Sequence, residues 1–481
     1  MVDYELPPSV LIDSKADNIL LIYRDTYQSI EELSETEMRL AGLRINPKTN
    51  IGSRTTFYNN IKILKVGSTT VNEIKGLPKK PRISNFNWSH DETKVAFTNT
   101  VSDGVELWVV DVENLKADKI SEAHLNANMG SVMTWFKDDK SLLVKMIPKT
   151  KKPLIDRDNT VPNGPTISVS DGSKAQNRTY QDLLKNKTDE YNFEQLSTSE
   201  LYKIDLKGNA KLWHEARMFS SISLSPDGEY VMTNFIHKPF SYLVTYNRFP
   251  RQTDLFKANG KFLKTFDQAP LIEDIPKGFM SVQKGKRSIQ WRSDEKSTLV
   301  WVEALDEGDA EKEVEFRDEM FQISAPFDGK AQSLLKTKLR YYYVQWGDKN
   351  HAIVNEYWWN TRMMKSSLLN PSDLSQPLRT ITERNYQDIY SDPGQPITHQ
   401  NQYGQNVLQI IDNQMYLLGD GFTEQGQFPF VDKFDLKTFE TTRLYQSKLT
   451  DKVESLRDAI DLKNGKIFVQ IESATEFPNY Y

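Results

Sequence analysis

FSSISLSPDGEYVMTNFIHKPFSYLVTYNRFPRQTDLFKANGKFLKTF, Phe219 to Phe266, is the stretch whose reading decides the fold. Ser225-Pro226-Asp227-Gly228 fits a type I turn: proline presets φ at the second position, Asp suits the third and glycine relieves the fourth. Ile222 and Leu224 alternate with serines before the turn. After it, Tyr230 to Ile236 is aromatic and β-branched, as a half-buried pleated surface prefers. Ser241 to Tyr246 and Lys261 to Phe266 read as two further strands. Four strands in about fifty residues, joined by tight turns, make one four-stranded antiparallel unit of the kind found in propeller blades.

The same signature, an apolar or aromatic residue followed by a polar turn and a strand, recurs along the chain. It appears at Trp88-Ser89-His90-Asp91, Trp135 to Asp139, Leu224 to Gly228, Trp291-Arg292-Ser293-Asp294 and Trp346-Gly347-Asp348. The intervals of 47, 89, 67 and 55 residues suit one blade apiece once loop insertions are allowed for. Weaker copies stand at Ile12 to Asp17, around Ile411 to Gln414, and at Leu462 to Gly465. The expectation is an all-β chain, a β-propeller of seven or eight four-stranded blades. From Leu462 only about twenty residues remain, room for two strands of ordinary length, so the last blade is expected to be incomplete and the chain a fragment.

Two insertions with short helical pieces interrupt the pattern, at about residues 29–57 and 149–199 by the repeat spacing. Ser29-Ile30-Glu31-Glu32 is a capping box, with Ile30, Leu33, Leu40 and Ala41 near one helical face. The second insertion opens with Pro, Asn, Gly and Ser and reads as loop, with a helical turn over Thr179 to Lys185.

Composition limits the function. The chain has 481 residues, 11% of them aromatic, which favours sheets. A net charge of -5 gives no reason to expect a nucleic-acid partner. No apolar run approaches the ~20 residues of a membrane span, and the first thirty residues lack the layout of a signal peptide. There is no cysteine, so disulfides and thiolate chemistry are excluded. The 6 histidines are scattered without HxH or HExxH spacing. No metal or cofactor site is expected.

Gly-x-Ser-x-Gly, the nucleophile elbow of α/β-hydrolases, does not occur, nor do the glycine-rich phosphate loops. Catalytic residues are therefore not expected in this chain. The acidic run Asp306 to Glu313 reads as a solvated hairpin loop. Arginines remain as binding candidates. Arg248 and Arg251 flank the stiff Phe249-Pro250 pair, and Arg287 stands in a basic cluster, Lys284 to Arg287. A planar guanidinium can hold a carboxylate through two hydrogen bonds, as recognition of an acidic side chain requires. The competing reading of each is a solvated or strand-bridging arginine.

Several ordered motifs resemble the amino-terminal propeller of glutamyl endopeptidases in the prolyl oligopeptidase (S9) family. They are Leu40-Ala41-Gly42-Leu43-Arg44-Ile45-Asn46-Pro47 with Ser53-Arg54, Arg178-Thr179-Tyr180-Gln181-Asp182-Leu183-Leu184, and Ile236 to Tyr242 with Arg248-Phe249-Pro250. Gly285 to Arg292 and Tyr390-Ser391-Asp392-Pro393-Gly394 complete the set. The resemblance implies a propeller that caps an α/β-hydrolase domain, admits small or unfolded peptides and serves cleavage after glutamate. It also implies peptide substrates and a C-terminal catalytic domain as partner, this chain alone being inactive. The family includes plastid enzymes and bacterial relatives, so a plastid location follows for a plant protein, and a periplasmic or secreted one for a bacterial protein. The alternative function is a free-standing propeller that binds a peptide or protein without cleaving it.

Overall fold

The computed structural model describes residues 6–156 and 179–481. The chain is nearly all β and divides into two compact units, Met1–Asp13 with Asp17–Ile275, and Ser14–Ala16 with Pro276–Tyr481. Part of the second insertion, 157–178, and with it Arg178, lies outside the described residues.

The first unit is a succession of blade-like antiparallel sheets. Ser9–Ile12, Asn18–Tyr23, Asn60–Lys65 and Val71–Glu73 form the first, and Ile83–Trp88, Lys94–Val101, Gly104–Asp111 and Lys116–Lys119 the second. The next two are fused. One long strand, Ala210–Leu224, closes the sheet of Met133–Trp135, Ser141–Met146 and Ser199–Asp205, then opens that of Tyr230–Ile236, Arg251–Lys257 and Phe262–Ala269. Apolar side chains fill the space between neighbours, as where Leu20, Ile61 and Ile63 meet Val95, Phe97 and Val110.

The second unit repeats the plan. Arg287–Trp291, Thr298–Ala304, Asp318–Ser324 and Gln332–Thr337 make one sheet, and Arg340–Asp348, His351–Trp358, Met363–Leu369 and Arg379–Asn385 another. A third joins Gln395–Pro396, Gln414–Gly419, Phe430–Asp435 and Thr441–Gln446. The last described sheet has three strands, Val453–Asp461, Lys466–Glu472 and Asn479–Tyr480.

Every turn picked out in the sequence sits between two antiparallel strands of one sheet. Within each unit, consecutive turns are wired together. The Trp135 indole donates to the Asn87 carbonyl at 3.0 Å, and the backbone N–H groups of His90 and Asp91 donate to the Asp139 carboxylate. Gly228 has φ +76, and a Cβ there would stand 2.6 Å from Lys137 Cβ. In the second unit Arg292, held by Asp294, lies 4.2 Å over the Trp346 ring. Trp135 and Trp346 are buried, so these tryptophans are packing residues.

Three local expectations are corrected. Ser241 to Tyr246 is not a strand, and the third strand of its blade is Arg251–Lys257. Pro239 and Pro250 lack ladder N–H groups at both ends, and the Ser241 hydroxyl takes the Leu243 N–H at 2.9 Å. Val244 and Phe249 are buried instead in an apolar cluster with Phe193 and Leu196. Secondly, α1 (Ile30–Leu33) forms with the expected capping box but ends there; Ile30 and Leu33 are exposed, while Leu40 and Ala41 belong to a hairpin. Thirdly, Thr179 to Lys185 has no helical turn, and a helix, α2 (Lys187–Ser197), follows it. Asn186 caps α2 by accepting the Asp189 N–H, and Phe193 and Leu196 anchor it.

Candidate functional site

Three of the sequence motifs, far apart in the chain, meet in the first unit. Met38–Leu40 and Leu43–Ile45 form a hairpin whose turn, Ala41-Gly42, has φ +53 and +88. The Gly42 N–H donates to the Asp182 carbonyl at 2.9 Å, and the Tyr246 N–H to the Ala41 carbonyl at 2.8 Å. A Cβ on Gly42 would lie 2.6 Å from Thr245 Cγ2, so only glycine allows this approach. The cluster under the hairpin includes Leu40, Ala41, Leu184, Phe193 and Phe249, with Phe193 and Phe240 edge to face at 5.3 Å.

These segments border an open cleft of about 730 Å³, lined by Gly42, Arg44, Arg54, Asn128, Asp182 and Thr245 among others. Its charged lining residues are Arg44, Arg54 and Asp182, and the pair Arg39 and Glu37 adjoins them. Arg44 Nε meets Asp182 at 2.7 Å, and Arg39 and Arg54 reach Glu37 at 2.8 and 3.0 Å. The Ser53 hydroxyl also donates to Glu37, at 2.5 Å. That bond, opposed by burial and reinforced by Arg39 and Arg54, lowers the Glu37 carboxyl to about 2. The group thus carries one positive charge. The Arg54 side chain is 67% exposed, so its pair with Glu37 is weak and open to competition from another carboxylate.

The arginines singled out in the sequence fall in different surroundings. Arg248, in a 3-10 turn after Thr245, stands 5.4 Å from the ring of Tyr180, beside Gln181 and Asp182. Arg251 opens its strand opposite Ile236 and Ala269, with Asp267 diagonally placed on the same face. Burial lowers its pKa, against the pull of Asp267. Arg287, in the second unit, pairs with Asp318, which is 1% exposed. Arg340 reaches Asp318 at 2.9 Å and Asp306 at 2.6 Å, and Arg317 reaches Asp306 at 3.0 Å.

Asp306 corrects the reading of the acidic run. The run does connect Thr298–Ala304 to Asp318–Ser324, yet Asp306 is buried among these arginines rather than solvated. Its partners, Arg317 and Arg340, lie 11 and 34 residues away, so no local pattern announces the pairing. Arg44 and Arg54 line the cleft but are not among the arginines the sequence marks as binding candidates, although both stand inside the family-like motifs. Their acidic partners Asp182 and Glu37 were the available signal. Among the described residues no group of His, Asp and Glu has the arrangement of a metal site, and no helix is long and apolar enough to cross a membrane.

No family model matches the chain. Two curated relatives do, both described as "Probable glutamyl endopeptidase, chloroplastic". The protein from Oryza sativa subsp. japonica is 34% identical over 100% of this chain and 55% of its own length. That from Arabidopsis thaliana is 34% identical over 100% of this chain and 53% of its own. Solved structures match loosely. A prolyl endopeptidase aligns at 13% identity and TM-score 0.43, over 91% of this chain and 53% of that one. The β-propeller domain of the Trilobed protease from Pyrococcus furiosus aligns at 11% and 0.37, over 83% and 91%. At that level they add nothing to the sheets described above. The sequence match is of another order: the chain is a homologue of these glutamyl endopeptidases over its whole length, and it spans about half the length of the curated relatives it matches.

Proposed function

We propose that the chain is the substrate-gating and substrate-selecting propeller of a prolyl oligopeptidase-family serine peptidase that cleaves after glutamate. A partner α/β-hydrolase domain supplies the catalytic serine, and this chain alone does not hydrolyse peptides. The observation that carries the reading is the similarity of this whole chain to about half of two glutamyl endopeptidases, joined to the absence of Gly-x-Ser-x-Gly in this sequence. The names of those plant relatives favour a plastid location.

Acidic peptide is met at the arginine-bordered cleft, where exposed Arg54 exchanges Glu37 for a substrate carboxylate and Arg248 stands close by. Arg251, half-buried, is the second contact. Arg287, in the second unit, is held by buried Asp318 and ranks behind both as a contact for an acidic side chain. Enclosure of the peptide against the catalytic domain excludes water and strengthens these contacts.

The test joins this chain to its downstream region and compares paired glutamyl and glutaminyl peptides. Arg54→Ala and Arg248→Ala should each lower kcat/KM for the glutamyl peptide about tenfold or more, as loss of a charge-assisted bond predicts, and leave the glutaminyl peptide within about twofold. An unchanged glutamate preference in Arg54→Ala, Arg248→Ala and Arg251→Ala would remove the selecting role. Hydrolysis of either peptide by the isolated chain would remove the proposed division of labour.

A further inference from the structure

In the second unit a cavity of about 220 Å³ lies between the sheet of Arg340–Asp348 to Arg379–Asn385 and the sheet of Gln395–Pro396 to Thr441–Gln446. Its walls are about evenly apolar and polar, the apolar part being Ile353, Ile381, Met415, Leu417, Phe434 and Phe439, which cluster between the two sheets. Asp392, Pro393 and Gly394, from the motif Tyr390 to Gly394, build one side. Arg384 holds Asp392 at 2.5 Å, and Gly394, at φ +87, presses against the Leu418 backbone, where a Cβ would meet the carbonyl at 2.7 Å.

The charges at this cavity are already matched, Arg384 by Asp392 and Asp432 by Arg443. Asn355 is different. It is 3% exposed, and its Oδ1 accepts from the Ser366 hydroxyl at 2.6 Å, which orients the amide. Its Nδ2 is buried in the cavity wall with no acceptor among the described residues. A buried donor left without a partner is uncommon and calls for an explanation. An apolar cavity of ~150 Å³ admits benzene, so this one has room for a single ring or branched chain bearing a short polar group.

We propose that this cavity is a binding site for a small neutral molecule with a ring or branched apolar body and one carbonyl oxygen, which accepts from Asn355 Nδ2. A charged ligand is disfavoured, since no unmatched charge faces the space. Binding fills the gap between two sheets and ties them together, independently of any contact at the arginine-bordered cleft.

Acetophenone is a suitable probe, with ethylbenzene as its counterpart lacking the carbonyl. Both are titrated into the full chain while the methyl resonances of Met364, Met415, Ile353 and Ile381 are followed by NMR. Acetophenone should shift these methyls saturably and bind about five- to tenfold more tightly than ethylbenzene, the advantage expected of one hydrogen bond. Asn355→Leu should abolish that advantage, and Leu417→Trp should abolish binding by filling the space. If Leu417→Trp does not fold, Met415→Phe replaces it, and the wild-type comparison of the two probes stands by itself. Absence of saturable shifts, equal affinity for the two probes in the wild type, or undiminished binding in a folded cavity-filling variant would each overturn the proposal.

Discussion

Lys145 offers the sharpest energetic test of this fold. It lies on the strand Ser141–Met146, is 2% exposed, and its Nζ donates to the Met129 carbonyl. Burial alone lowers its pKa from 10.5 to about 7. Between those values the unfolded chain carries a proton that the folded chain lacks. Stability therefore rises with pH across this window by about 1.4 kcal/mol per unit, and becomes insensitive to Lys145 below about pH 7. Summed over the window, the lysine costs about 5 kcal/mol at pH 7 relative to pH 10.5. Lys145→Met preserves most of the volume and removes that cost. It also leaves the Met129 carbonyl without its donor, a loss of roughly 1–3 kcal/mol. The variant should be about 2–4 kcal/mol more stable than the wild type at pH 7, and the advantage should shrink and then reverse as pH approaches 10.5. Chemical denaturation from pH 6 to pH 10.5 measures this directly. A variant less stable at pH 7, or a difference that does not change with pH, would refute the assignment of a neutral, desolvated amine.

Two further perturbations address the charged clusters. Asp306→Ala removes the carboxylate that holds Arg317 and, with Asp318, Arg340, so a buried cation loses its partner, and should destabilise by about 3–5 kcal/mol in thermal or denaturant unfolding; a loss under about 1 kcal/mol would show that the network is solvated. Glu37 should titrate near pH 2 by carboxyl NMR, and Ser53→Ala should move it toward its ordinary 4.5. Because the folded value is depressed, Glu37 stabilises the fold above about pH 4.5, and the contribution is lost as pH falls through about 2; a wild-type midpoint near 4.5 would contradict the Ser53 contact.

What the sequence alone determined was the local grammar of the sheets. Ser225-Pro226-Asp227-Gly228 closes as the turn its residues demand, with Gly228 N–H donating to the Ser225 carbonyl at 2.8 Å, because every contact involved lies within four residues. The α1 capping box was legible for the same reason. The stretch Ser241 to Tyr246 was not. Its alternation is that of a strand, and only the apolar cluster around Phe193 and Phe249 draws it off the ladder. Helix α2 was hidden by its polar first turn, since its two anchors, Phe193 and Leu196, matter only once partners from distant segments cover them.

Site composition divides the same way. The motifs around Arg44, Asp182 and Arg248 were visible as words in the sequence, but their meeting at one cleft depends on Gly42 packing against Thr245, about two hundred residues further on. By sequence Arg287 is a binding candidate in a basic cluster and Asp306 a solvated acid, whereas in the fold Arg287 pairs with Asp318 and Asp306 with Arg340. Charge pairing and burial are properties of groups brought together from remote positions. Spacing along the chain encodes the turns and strands, and only the packed sheets decide which charges are spent on one another and which remain for a ligand.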